Sequence, residues 1–327
     1  MRISKRIGSA TEQQVEYLVR VLSAVTFLIF FQAYMIAPLI PRLASVFHVS
    51  AQTVAIAIPV YMIPYGAATL FYGVLSDRVG RRPIILGSLA LFALLTDLTA
   101  VSHSVDGLIF WRLLTGIGAS GVVPIGLALV GDLFPYEKRG RPLAWLFGAM
   151  AGGMAFGSSF GVLLEPIIGW RGLFLGVGML GLACLALLMR RTELFVGRPS
   201  VARTRASDVF RTYRRLLAGW RGARTYIYVF GNAIFHSGVY TWLGLYFVRR
   251  YQLGDIGIGL ALLGYGVPGF ILGPVIGRAA DRWGRRWLIP AGLGIAAIAG
   301  VAAIPLYRSE KSSNIKAQQP AVAGILL

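Results

Sequence analysis

The chain has 327 residues, of which 56% are hydrophobic and only 14% charged, against roughly 25% charged in a soluble globular chain. Much of it therefore cannot face water. The net charge of +19 does not point to nucleic acid, because the basic residues sit in short loops between long apolar runs. One cysteine, Cys184, lies inside an apolar run and can make neither an intrachain disulfide nor, alone, a metal site. No cofactor or metal is expected, and no nucleic-acid partner.

A spanning helix needs about 20 mostly apolar residues. Nine segments qualify, near 18–40, 52–75, 83–101, 106–131, 141–164, 168–190, 225–248, 256–277 and 285–306. The expected fold is an all-α membrane protein. The first apolar run follows a polar N-terminus and is long enough to span, unlike a cleaved signal peptide. With the N-terminus inside, 24 of the 32 basic residues fall in inner segments and 4 in outer loops, among them Arg42. That bias predicts a cytoplasmic N-terminus in a multi-pass protein of the cell (inner) membrane, with the lipid bilayer as its main partner.

In chain order, helix 1 carries Gln32 and Tyr34 in its middle, and helix 2 carries Tyr61 and Tyr65. These are candidates for lining a substrate cavity. Between helices 2 and 3 stands Gly73-Val-Leu-Ser-Asp77-Arg78-Val-Gly80-Arg81-Arg82. Helix 4 contains Arg112, whose placement in hydrocarbon costs roughly 2.5–3.5 kcal/mol on insertion scales, so it needs a partner or a wet cavity. Asp97 on helix 3 is the one acid well inside a membrane segment. Asp97 and Arg112 are equidistant from the midpoint of the hairpin joining helices 3 and 4, so an ion pair between them or an Asp97 reaching the outer surface are both open. Helix 5 holds Gly148, Gly152, Gly153, Gly157 and Gly161, largely at spacing four, a smooth surface for close helix packing.

The basic stretch from 191 to 224 divides a six-helix half, residues 1–190, from three further helices in 225–306. It is read as a cytoplasmic linker, part of which could form a basic helix on the inner membrane surface. Asn232, His236 and Tyr240 recur at spacing four on helix 7 and are further cavity candidates. Gly277-Arg-Ala-Ala-Asp281-Arg282-Trp-Gly284-Arg285-Arg286 then repeats the first loop, with six identities at an offset of 204 residues. Such duplicated halves are a hallmark of secondary transporters. The glycines allow tight turns, the arginines suit the anionic inner surface, and the acid can pair with a neighbouring Arg or cap a helix. A polar run after Leu306 and the eight apolar residues 320–327 form an atypical tail, 307–327, too short to span.

On these residues the chain resembles the major facilitator superfamily. The G-x-L-x-D-R-x-G-R-R loop carries the resemblance most specifically. Arg112-Leu-Leu-Thr-Gly116-Ile-Gly118, Asp132-Leu-Phe-Pro135-Tyr-Glu137-Lys-Arg139-Gly140 and Gly169-Trp170-Arg171 agree with it. The resemblance implies a helical bundle that moves small molecules by alternating access. It also implies a conformational switch in the two loops and an Arg112 facing the cavity and involved in proton coupling, with Asp97 the other candidate. The glycines of helix 5 resemble the motif of the proton-coupled drug exporters, although Ser158 stands where that motif has proline. Protons are accordingly the expected coupling ion and efflux the expected direction. Family members typically have twelve helices, so a truncated second half is expected here. A sugar or organic-acid symporter and an inactive, truncated membrane protein remain alternatives. Enzymatic chemistry is not expected, since neither paired membrane acids nor a nucleophile elbow occurs.

Overall fold

The computed structural model describes residues 12–190, 195, 211, 214–231, 251, 252, 254–284, 288, 290–292, 294, 295 and 298. Most of the linker expected at 191–224, most of helix 7, much of helix 9 and the tail 307–327 lie outside the described residues. The chain divides into two compact units, Met1–Gly277 and Arg278–Leu327.

Every described element is helical: α1 (Glu12–Tyr34), α2 (Ile36–Phe47), α3 (Ala51–Ala55), α4 (Ala57–Val79), α5 (Arg81–Ala100), α6 (Val105–Ala119), α7 (Val123–Leu133), α8 (Gly140–Met189) and α9 (Asp255–Trp283), with a 3-10 turn at Tyr136–Lys138. Together these reproduce the six expected N-terminal spans, for three of them are interrupted helices. Proline sets each interruption, because it cannot donate to the carbonyl four residues back. Pro38 leaves the Tyr34 carbonyl without its helical donor, and α1 gives way to α2 there. Pro59 does the same to Ala55, where α3 ends. Pro124 does it to Ser120, between α6 and α7. The freed Ser120 carbonyl instead accepts from Thr69 Oγ1 on α4 at 3.4 Å. The last two spans, together α8, are two helices that meet at a kink at Gly169, whose non-helical φ of 69° favours glycine.

Within the first unit α1 packs on α8, α5 on α6 and α8, and α4 on α6. Leu22, Val25, Ile29, Ile85, Leu89, Phe92, Leu108 and Phe174 are fully buried at these contacts. Large apolar side chains also face outward. Ile63, Phe71, Ile167 and Met179 are each at least 62% exposed. So broad an apolar exterior suits hydrocarbon and not water. Five described helical stretches are long and apolar enough to cross a membrane: Gln13–Tyr34, Ala51–Val79 (α3 with α4), Arg81–Ala100, Val105–Leu133 (α6 with α7) and Gly140–Met189, the last holding two spans.

Candidate functional site

Arg112 is the eighth residue of α6 and is completely buried. Its Nη1 donates to Gln32 Oε1 at 3.0 Å and to the Gln32 carbonyl at 3.3 Å. Its Nε donates to the Ala57 carbonyl at 3.3 Å. The guanidinium lies 4.4 Å from the centroid of the Tyr61 ring, and Tyr61 stacks on Tyr65 at 6.1 Å. Ala57 is the first residue of α4, just after the break that follows α3. Gly116, one turn after Arg112, brings α6 against α4, since a Cβ there would run into the Tyr61 carbonyl. Four residues singled out in the sequence, Gln32, Tyr61, Tyr65 and Arg112, thus come together from three helices.

The cluster is rich in donors. Arg112 Nη2, Gln32 Nε2 and the Tyr61 hydroxyl are buried without a protein partner. Buried unpaired donors cost about 1–3 kcal/mol each, so the arrangement is suited to an incoming group with acceptor oxygens. Arg112 is held by backbone carbonyls, a side-chain amide and a ring. No ion pair joins it to a carboxylate among the described residues.

The Asp97 pairing left open by the sequence does not form. Asp97 lies on the other side of the hairpin, its carboxylate against the backbone at Gly178 of α8, with Oδ1 buried and unpartnered. Equal depth says nothing of which way a helix faces. Tyr34 stacks on Phe30 at 6.5 Å and is half-buried. Asn232, His236 and Tyr240 lie outside the described residues.

The first loop motif forms a compact network. Gly80 ends α4 with φ 99°, its N–H bonded to the Ser76 carbonyl at 3.0 Å. Arg81 reaches back to Asp77 at 2.6 Å and to Ser76 Oγ at 2.6 Å, and across to Asp132 of α7 at 3.1 Å. Arg78 and Arg82 are exposed. Gly73 has open space where a Cβ would point. Asp132 belongs to the loop between spans 4 and 5, and Arg139 of that loop closes the end of α7 by donating to the Gly131 and Phe134 carbonyls at 2.5 and 2.8 Å. In the second copy Gly284 repeats the turn, with φ 81° and its N–H bonded to the Ala280 carbonyl at 3.1 Å. Asp281 is half-buried and Arg282 exposed. Arg285 and Arg286 lie outside the described residues. The copies differ at their first glycine: Gly277 packs on the backbone of Gly140 and Arg141, where a side chain would collide.

The helix-5 glycines divide into two faces. Gly153, Gly157 and Gly161 take the backbone of α1 at Phe27, Phe31 and Met35. Gly148 and Gly152 take Phe270 of α9. Sequence reasoning missed the matching series on α9, Gly266, Gly269, Gly273 and Gly277, which meets Ala144, Ala151 and Gly148. Their spacing of three and four was the available signal. Ser158, in the place of the motif proline, is buried and donates to the Met154 carbonyl at 3.1 Å. Arg42, read as an isolated loop charge, bonds Glu165 of α8 at 3.0 Å, because α2 extends the first span to Phe47.

A bundle of interrupted apolar helices, a duplicated glycine-capped basic turn and a buried arginine between helices 1, 2 and 4 define a multi-pass membrane protein. Residues 22–314 match the Major Facilitator Superfamily, and the chain belongs to that family. It is 26% identical over 268 residues to the uncharacterized MFS-type transporter YwfA of Bacillus subtilis, a match covering 80% of this chain and 64% of that one. It is 29% identical over 155 residues to a chloramphenicol resistance protein of Pseudomonas aeruginosa, covering 46% and 37%. The chain thus spans less than two thirds of the length of these relatives. Its fold is similar to the proton:xylose symporter XylE bound to 6-bromo-6-deoxy-D-glucose, with a TM-score of 0.60 at 17% identity, over 84% of this chain and 70% of that one.

Proposed function

We propose that the chain carries out secondary transport of small organic molecules, as proton-coupled efflux by alternating access across the cell membrane, with its N-terminus cytoplasmic. The observation that carries this reading is the buried Arg112 held by Gln32, Ala57 and Tyr61. A cation fixed in the bundle without a carboxylate partner repels a second positive charge and attracts acceptor-bearing solutes. A solute that docks on Arg112 offsets its charge and so alters the affinity for a proton nearby, which links the two fluxes electrostatically. The likeness to a chloramphenicol resistance protein over 46% of the chain supports the efflux direction. Residues 1–190 form one half and 225–306 belong to the other, joined by the basic segment 191–224.

The Asp77–Arg81–Asp132 network is the switch of this cycle. It ties the turn between spans 2 and 3 to the end of span 4, so these ends move together or release together. Asp77→Asn removes the charge from one arm. Because Asp77 is 59% exposed, the effect on stability is small, about 1 kcal/mol or less. Transport falls about tenfold, which a change of roughly 1.4 kcal/mol between the two end states suffices to produce. Asp106→Asn, at an exposed position in the first turn of α6, leaves the rate unchanged. Equal rates for both variants at matched expression would refute the switch. The proposal as a whole is tested in proteoliposomes with an imposed pH gradient, using chloramphenicol and a panel of neutral and anionic compounds bearing acceptor oxygens. Gradient-dependent accumulation abolished by a protonophore is expected, and accumulation indifferent to the gradient would exclude coupling.

A further inference from the structure

A second cavity, of about 630 Å³, opens between α1, the two spans of α8 and α9. It shares no lining residue with the Arg112 cluster. Ser23, which lines it, and Gln32, which holds Arg112, are nine residues apart on α1 and so point to opposite sides of that helix. Volumes of about 300–1,000 Å³ are typical of small-molecule sites.

The lining is ordered along the helices. Arg20 and Ser23 come first on α1, and Trp145 stands one turn into α8, all toward the end of the bundle that bears the basic loops. Phe27 lies deeper, its ring 6.0 Å from Phe270 of α9. Two of the polar members carry donors without acceptors. Ser23 is 5% exposed, and its Oγ has no partner. A helical hydroxyl normally returns to the carbonyl one turn back, as Thr26 does to Leu22 at 2.8 Å. Trp145 Nε1 is likewise buried and unpartnered. At the rim Arg20 and Arg141 share a single carboxylate, Glu16, at 3.1 and 2.7 Å.

We infer that this cavity binds an anionic amphiphile: an acyl chain between Phe27 and Phe270, and a carboxylate or phosphate oxygen accepting from Ser23 Oγ and Trp145 Nε1 near Arg20. Apolar walls call for a hydrocarbon chain, and a head end with two unpartnered donors beside two guanidinium groups that share one carboxylate selects an anionic acceptor. A free fatty acid and an anionic phospholipid offer the same chemistry.

Cys184 lines the cavity and is the only cysteine in the chain, so its alkylation reports occupancy without engineering. The full chain is placed in phosphatidylcholine nanodiscs, and the rate of reaction with N-ethylmaleimide is followed with oleate, with methyl oleate, and in discs containing phosphatidylglycerol without oleate. Oleate slows alkylation severalfold and methyl oleate does not. Protection in the phosphatidylglycerol discs supports the site and identifies a membrane lipid as an occupant, while protection by oleate alone identifies the free acid. Ser23→Ala and Trp145→Phe, which preserve shape, each raise the half-protecting concentration about tenfold, as the loss of one hydrogen bond to a charged group requires. Protection by neither anionic amphiphile, equal protection by methyl oleate, or undiminished protection in both variants would overturn the inference.

Discussion

Replacing Arg112 by leucine abolishes transport and destabilises the protein at once. The substitution removes three donated bonds, to Gln32 Oε1, the Gln32 carbonyl and the Ala57 carbonyl. Hydrogen bonds involving a charged group contribute about 1.5–3 kcal/mol each, and the residues left behind, Gln32 and Ala57, are fully buried. Arg112→Lys separates the two roles. Lysine keeps the charge but not the planar fork, so it cannot meet two carbonyls and an amide while lying over the Tyr61 ring. Its variant folds, with a lowered Tm, and transports at least tenfold more slowly, a loss of roughly 1.4 kcal/mol or more in the limiting step. Purified variants compared by thermal melting and by solute flux at matched reconstitution check both parts. Wild-type flux in Arg112→Lys would show that charge alone is needed and that the fork geometry is not.

The other large effect is in the helix-5 seam. At Gly157 an added Cβ would come within 2.5 Å of the Phe31 carbonyl oxygen, with the Phe31 Cα at 2.9 Å. Backbone cannot swing aside as a flexible side chain can, so α1 and α8 must separate along their whole contact. Overpacking of this kind costs typically 1–3 kcal/mol even for one methyl. Gly157→Leu is expected to yield no monodisperse protein, and Gly157→Ala a strongly lowered Tm. Gly176, on the second span of the same element, has no atom within 4 Å of its would-be Cβ. Gly176→Ala should therefore be neutral or mildly stabilising, since alanine is the better helix former by about 1 kcal/mol. Equal melting temperatures for Gly157→Ala and Gly176→Ala would contradict the packing described here.

Much of this was legible because membranes make polarity informative. Arg112, Gln32, Tyr61 and Tyr65 stand out in apolar runs, and three of them touch or stack on one another around the arginine. The repeated loop disclosed its turn, since only glycine readily takes the positive φ found at Gly80 and Gly284. What sequence could not convey was azimuth and long-range pairing. Equal depth left an Asp97–Arg112 pair open, but rotation about α5 turns Asp97 to Gly178. Arg42 and Glu165, 123 residues apart, meet only because α2 packs against α8 near the end of its first span. The two glycine faces of helix 5 were recoverable in principle. Gly152 and Gly153 differ by about 100° around the helix, so one spacing-four series runs through 148 and 152 and another through 153, 157 and 161. Which helix each series meets depends on the bundle.

The central claim, that Arg112 couples proton movement to solute movement, is tested most directly by proton flux. Proteoliposomes enclosing a pH-sensitive dye, with no gradient imposed, receive a transported solute from outside. Coupled exchange predicts a solute-dependent pH change with the wild-type chain and none with Arg112→Lys, even where that variant still binds the solute. An equal pH change from both proteins, or solute uptake by the wild type without any proton movement, would contradict it.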